Sequence, residues 1–252
     1  MLPHRPNHPE AAMKEQYVGD VNDYRKYALL RALADEESTI GMCWMLTPPD
    51  GRADGNKIDY LQRTEWAKFD APLFELLRSI VGEPCRRRLH AIEASDILPR
   101  AVYLSRILPD ARDERCRYFA EAKDKFKDCE LVFFDPDNGI EVTSIPKGRR
   151  NSAKYVYWDE ISTAYAARQS VLVYQHFPRE NRRAFVDHLA RRFIAVAPDA
   201  ILWAFCTAHV AFLLAIHPRQ RETLLTRARA VESRWTRDFI DPQPLGCGTP
   251  HD

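Results

Sequence analysis

The stretch "SVLVYQH", residues 170–176, carries an unbroken apolar run from Val171 to Tyr174. A strand with one wet face alternates apolar and polar residues, so a run without alternation predicts a strand covered on both sides. "LVFF", residues 131–134, repeats the pattern. The segments between such runs have helical spacing. Leu73, Leu76, Leu77 and Ile80 fall at i, i+3, i+4 and i+7, and Gly82 and Pro84 close that helix. Residues 112–128 place Phe119, Ala122 and Phe126 on one side. Residues 177–198 place Phe185, Leu189, Phe193 and Val196 on a stripe, with Pro178 expected in the first helical turn. A last helix runs through Leu224, Leu225, Ala228 and Val231. Alternating strands and helices predict an α/β fold, a Rossmann-like three-layer sandwich with a mostly parallel sheet. One exception is built in. "AILWAFC" (200–206) and "VAFLLAI" (210–216) are too close for a helical crossover, so they must pair as a C-terminal antiparallel hairpin.

Further strands are expected at 38–46, 88–94, 100–105 and 154–158, and "GDVNDYRKYALLRAL" reads as a helix starting near Asp20. With no internal repeat or low-complexity linker, residues 13–240 read as one domain. Residues 1–12 read as a loose extension and 241–252 as a flexible tail. The 252 residues are 45% apolar, enough for one ordinary core. Balanced charge, 37 basic against 36 acidic residues, gives +1 and excludes a global field toward nucleic acid or anionic lipid. Any nucleic-acid surface must therefore be a local patch: Arg86 to Arg88, Lys147 with Arg149 and Arg150, or Arg182 and Arg183 with Arg191 and Arg192. The six cysteines form no CxxC pair, and several lie in apolar runs, which predicts buried reduced thiols rather than a disulfide frame or a zinc site. No apolar run reaches the ~20 residues that span a bilayer, and no signal peptide is visible, so a cytoplasmic location without a membrane partner is expected.

In open parallel sheets ligands bind outside the carboxyl ends of the strands. The polar residues expected there are Thr47, Asp50 and Asp54 after the first strand, Glu93 and Asp96 after the second, then Asp135, Asp137 and Asn138, then Asp159 and Glu160, and finally Gln175 and His176. "DPDNG" (135–139) has the residues of a tight turn, which accounts for Pro136, Asn138 and Gly139. It does not account for Asp135, because a carboxylate at the end of a buried strand is costly without a partner. The first turns of the opening helix carry Asp20, Asp23, Tyr24 and Lys26. Capping explains the acids; Lys26 is expected to reach a cofactor beneath the helix.

Three of these segments resemble the class I S-adenosylmethionine-dependent methyltransferases, nearest to the adenine-N6 enzymes of large-subunit ribosomal RNA. "GDVNDYRKYALL" resembles their opening helix motif, "FFDPDNG" their "DPPY" motif, and "ILWAF…FLLAIHP" their closing hairpin. The resemblance implies S-adenosylmethionine as cofactor and an amino group of a nucleic-acid base as methyl acceptor, with the base rotated out of its helix. Asp135 matches the motif's acid and Pro136 its first proline, while Asp137 replaces the second proline and Asn138 the stacking aromatic. "TPPDGRADG" replaces the expected glycine-rich loop, keeping Gly51 and Gly55. On this reading Asp135 and Asn138 orient the amine, and His176 or Asp137 takes its proton. Lys26, Thr47, Asp50, Gly51, Asp54 and Glu93 face the cofactor, and no metal is implied.

Two other classes use the same residues. Asp20, Asp54, Asp135, Asp137 and Glu160 gathered together would hold Mg²⁺ or Mn²⁺ for a phosphodiesterase or nuclease. A binding module that kept the fold without its chemistry would suit the altered loop.

Overall fold

A computed structural model describes residues 17–48 and 56–246. The main sheet contains β1 (Ile40–Cys43), β2 (Ala101–Leu104), β3 (Leu131–Phe134), β6 (Ser170–His176), β7 (Ile201–Cys206), β8 (Val210–Ile216) and β9 (Asp241–Leu245), in the order β2-β1-β3-β6-β8-β7-β9. The first four in that order are parallel and the rest antiparallel. Helices α1 (Val21–Leu33), α2 (Ala71–Gly82) and α7 (Arg221–Arg234) cover one face, and α4 (Arg112–Lys125), α5 (Trp158–Ala166) and α6 (Arg182–Val196) the other. Strand β3 shows why its run is unbroken: Leu131 and Phe133 enter the core under α1, Val132 and Phe134 the core under α4. The three-layer α/β architecture and the hairpin are as the periodicity requires.

Four segments differ from their sequence patterns. Residues 88–94 form a short helix, α3 (Leu89–Glu93), not a strand; Leu89 and Ile92 are both buried, a three-residue spacing too brief to declare itself. Of 154–158 only β5 (Tyr155–Val156) is extended. It pairs with β4 (Gly139–Ile140) in a ribbon separate from the main sheet, and Trp158 already begins α5. Helix α6 starts after Asn181, whose side chain accepts from Ala184 N at 3.0 Å, so Pro178 lies outside its first turn. Residues 241–245, expected in a flexible tail, are the edge strand β9 on β7; Pro242 and Pro244 are tolerated because an edge strand has one unpaired side. Cys43 and Cys129 are buried, but Cys85 and Cys116 are exposed and Cys206 half-buried, so burial holds for only some of the thiols. Among the described residues no helix is long and apolar enough to cross a membrane. The extension 1–12 and Cys247 lie outside the described residues.

Candidate active site at the switch point

The chain leaves β1 for β2 on one side, then returns past β1 to β3 on the other. The reversal opens a crevice at the carboxyl ends of β1 and β3, where open α/β sheets take their ligands. Helix α1 precedes β1 and is joined to it by a short loop, so it runs back across the sheet. Its N-terminal turns therefore overlook that crevice. A cavity of about 410 Å³ lies there, lined by Asp20, Asn22, Asp23 and Lys26 from α1 and its cap, Trp44 and Thr47 after β1, Asp135 to Asn138 after β3, and Tyr174 and His176 from β6. Its size falls within the range of small-ligand sites.

Asp20 caps α1, accepting from Asn22 N at 2.8 Å and Asp23 N at 2.9 Å. One turn later the Lys26 ammonium lies 2.8 Å from Asp23 Oδ1 and 2.6 Å from Asp135 Oδ2. The rings of Tyr27, Trp44 and Tyr174 surround it at 5.6, 5.7 and 5.6 Å, so cation–π attraction adds to the ion pairs. Burial would push the Lys26 pKa down, but Asp135 and Asp23 outweigh it and hold it well above the usual range. For the acids burial is the stronger influence. It raises Asp135 to about 6 despite Lys26, and, with the charge of Asp23, raises Asp20 to about 7. His176 is solvent-exposed by its overall area at the rim, edge-on to Tyr174; partial desolvation beside the cavity, with the positive charges of Lys57 and Lys26, lowers its pKa. Thr47 Oγ1 donates to Asp137 Oδ2 at 2.8 Å.

The turn itself is pinned from behind. Gly139 has φ +117°, and a Cβ there would lie 2.4 Å from Gln175 Oε1. Gln175 cannot retreat freely, because its Oε1 accepts from Ile140 N at 2.7 Å while its Nε2 donates to the His176 carbonyl at 2.8 Å. Asn138 N donates to Lys154 O at 2.9 Å, tying the turn to the ribbon.

Of the residues singled out in the sequence, Asp135, Asp137, Asn138, His176, Lys26 and Thr47 line this one cavity. Glu93 does not. It sits on α3, not at a strand end, and accepts from Trp44 Nε1 at 2.8 Å, fixing the ring rather than facing the cavity. Glu160 is also elsewhere. It forms a buried two-pronged pair with Arg115, Nε–Oε1 at 2.7 Å and Nη2–Oε2 at 2.9 Å, on the opposite face of the sheet. Asp50, Gly51 and Asp54 lie outside the described residues. Sequence reasoning missed Asp23 as the second partner of Lys26, although their i, i+3 spacing was readable. It also missed Lys57 and Lys154, which reach the cavity from distant loops and carry no local signal. Tyr24 is a packing residue, stacked on Tyr60 at 5.2 Å.

No three His, Cys, Asp or Glu side chains among the described residues are arranged to hold a metal ion. Among the described residues, two buried polar atoms on cavity-lining residues lack a hydrogen-bond partner, Tyr27 OH and Asn22 Oδ1. Comparison with known proteins returned no matching family model, no similar curated protein and no similar solved structure.

Proposed function

We propose that the chain is an S-adenosylmethionine-dependent methyltransferase acting on an amino group, with a nucleic-acid base as the acceptor class. The observation that carries this reading is Asp135: a half-buried carboxylate at the sheet's switch point, opening into a nucleoside-sized cavity. Its Oδ2 is engaged by Lys26, which leaves Oδ1 to accept a hydrogen bond from an incoming amine. The Asn138 side chain stands beside it on the same lining.

The lining fits the cofactor. S-adenosylmethionine supplies an electrophilic methyl group on a positively charged sulfur, and four aspartates, Asp20, Asp23, Asp135 and Asp137, line the cavity together with Lys26, Lys57 and Lys154. Asn22 Oδ1 and Tyr27 OH offer unmet hydrogen bonds to its polar groups. The protein's own work is positioning, which alone is worth several kcal/mol of barrier. Asp135 and Asn138 aim the amine. His176 is the acceptor for the proton it sheds, with Asp20 as a second acceptor on the same lining.

Calorimetric titration of the full chain with S-adenosylmethionine, and separately with Mn²⁺, tests this. Micromolar cofactor binding without metal is expected. A folded protein that ignores the cofactor at millimolar concentration refutes the reading, and stabilisation by Mn²⁺ alone replaces it with the phosphodiesterase.

A further inference from the structure

A second cleft, of about 530 Å³, opens at the same end of the sheet. Strands β6 and β7 are each antiparallel to β8 and hence parallel to one another, so the β7–β8 turn, Thr207 to His209, stands at the rim where β3 and β6 end. The cleft lies between that turn, the start of α6, and the segment leading into β9. Three guanidinium groups line it: Arg182, Arg183 and Arg237.

Their partners differ. Arg183 has Asp187 at 3.3 Å and Arg237 has Asp241 at 3.5 Å; both pairs are largely exposed and hold their cations weakly. Asp241 also accepts from Gln243 Nε2 at 2.8 Å, so its charge is shared. Asp238 contributes one further acid to the lining. Arg182 has no carboxylate partner among the described residues and lies over the Phe177 ring at 5.4 Å. Of the other basic residues singled out in the sequence, Lys147 is paired with Asp159 and Glu160, and Arg87 donates to the Val18 carbonyl. Positive charge also extends from the cleft back toward the first cavity. His209, whose carbonyl accepts from Phe177 N at 3.0 Å, is depressed in pKa by burial and by Lys57, Arg182 and Arg25 together.

We infer that this cleft is a phosphate-ester site, with Arg182 and Arg237 as its principal contacts. A guanidinium fork matches phosphate oxygens, and a phosphate accepts several forks at once where a carboxylate is saturated by one or two. Because both cavities share one rim, a single-stranded nucleic acid can cross the cleft with its backbone while one base enters the first cavity; a free nucleotide would occupy the cleft by its phosphate alone. The inference stands on the charges of the cleft and does not require methyl transfer.

The test is fluorescence anisotropy of a short labelled single-stranded oligonucleotide with the full chain, from low to physiological salt. Arg182→Ala/Arg237→Ala should weaken binding about tenfold or more, and should flatten the log K against log salt slope by about 1.4, at ~0.7 per lost phosphate contact. Arg182→Lys/Arg237→Lys should recover part of the affinity, and Arg192→Ala should change nothing. Competition by adenosine monophosphate as strong as by unlabelled oligonucleotide assigns the site to free phosphate esters; competition by oligonucleotide alone assigns it to the chain. Binding unchanged in the alanine pair overturns the inference, as does equal competition from polyglutamate. Cofactor affinity at the first cavity, measured on the same alanine pair, should match the parent, so loss of the cleft and failure of the methyltransferase reading give different results.

Discussion

Replacing Asp135 by Asn removes the charge at the end of β3 and leaves the volume. In the parent the carboxyl titrates near pH 6, against about 3.8 without burial. About two pH units at 1.36 kcal/mol each make the ionised form about 3 kcal/mol less favourable in the folded than in the unfolded chain. The sign follows from proton binding. Between these two pKa values the folded state holds the proton and the unfolded state does not, so this group's contribution falls as pH rises through about 4 to 6 and is constant above. The substituted amide cannot titrate, and Lys26 stays charged in both proteins with Asp23 still beside it. The stability of Asp135→Asn relative to the parent should therefore shift in the variant's favour by about 2 to 3 kcal/mol between pH 4 and pH 7.5. Urea unfolding at four or five pH values, with unchanged m, measures that double difference. A difference that stays flat within about 0.5 kcal/mol would mean Asp135 keeps an ordinary pKa, and the case for a desolvated, ligand-facing carboxylate would be lost.

Lys26→Met strips two carboxylates of their shared cation, and a cost of about 3 to 5 kcal/mol is expected at alkaline pH; because Lys26 holds the Asp135 pKa down, its loss lets Asp135 protonate above pH 6, so the cost shrinks as pH falls toward 6 and is constant below; a thermal melt insensitive to the change at pH 8 would contradict the geometry. Gly139→Ala combines a backbone conformation at φ +117° with a clash against the pinned Gln175 amide, for a loss of about 2 to 3 kcal/mol and weaker cofactor binding, read by melting and calorimetry. Glu160→Gln leaves the fully buried Arg115 charge without its carboxylate, and the urea midpoint should fall by the equivalent of about 3 kcal/mol.

What the sequence made legible was local. The unbroken runs at 131–134 and 171–174, the hairpin, the cap at Asp20 and the polar turn at 135–139 each depend on residues within one segment. What it hid depends on pairing across the chain. Nothing near Glu160 announces Arg115, forty-five residues earlier, as the group that consumes it. Asp241 to Leu245, with two prolines, looks like a tail until β7 supplies an edge to pair with. Glu93 was placed at a strand end because a five-residue helix and a five-residue strand look alike in an apolar run, and its real partner, the Trp44 indole, lies across the fold.

The turn after β3 shows how a structural and a chemical reading can hold at once. Its backbone joins elements: Asp135 N donates to Cys43 O at 3.0 Å, Asn138 N to Lys154 O at 2.9 Å, and Ile140 N to the Gln175 side chain at 2.7 Å. Pro136, Asn138 and Gly139 are therefore explained as turn residues. The Asp135 carboxylate takes no part in these bonds, and among the described residues its side-chain partner is Lys26, which comes from α1. Such a pair is a poor device for stability, since an apolar pair of similar volume serves a buried position as well or better. The burial that raises Asp135 to about 6 is a cost the fold bears with no structural return. A group held at a loss on the wall of a cavity, where among the described residues the Tyr27 hydroxyl and Asn22 Oδ1 also lack a hydrogen-bond partner, is what a ligand site requires and what a turn does not.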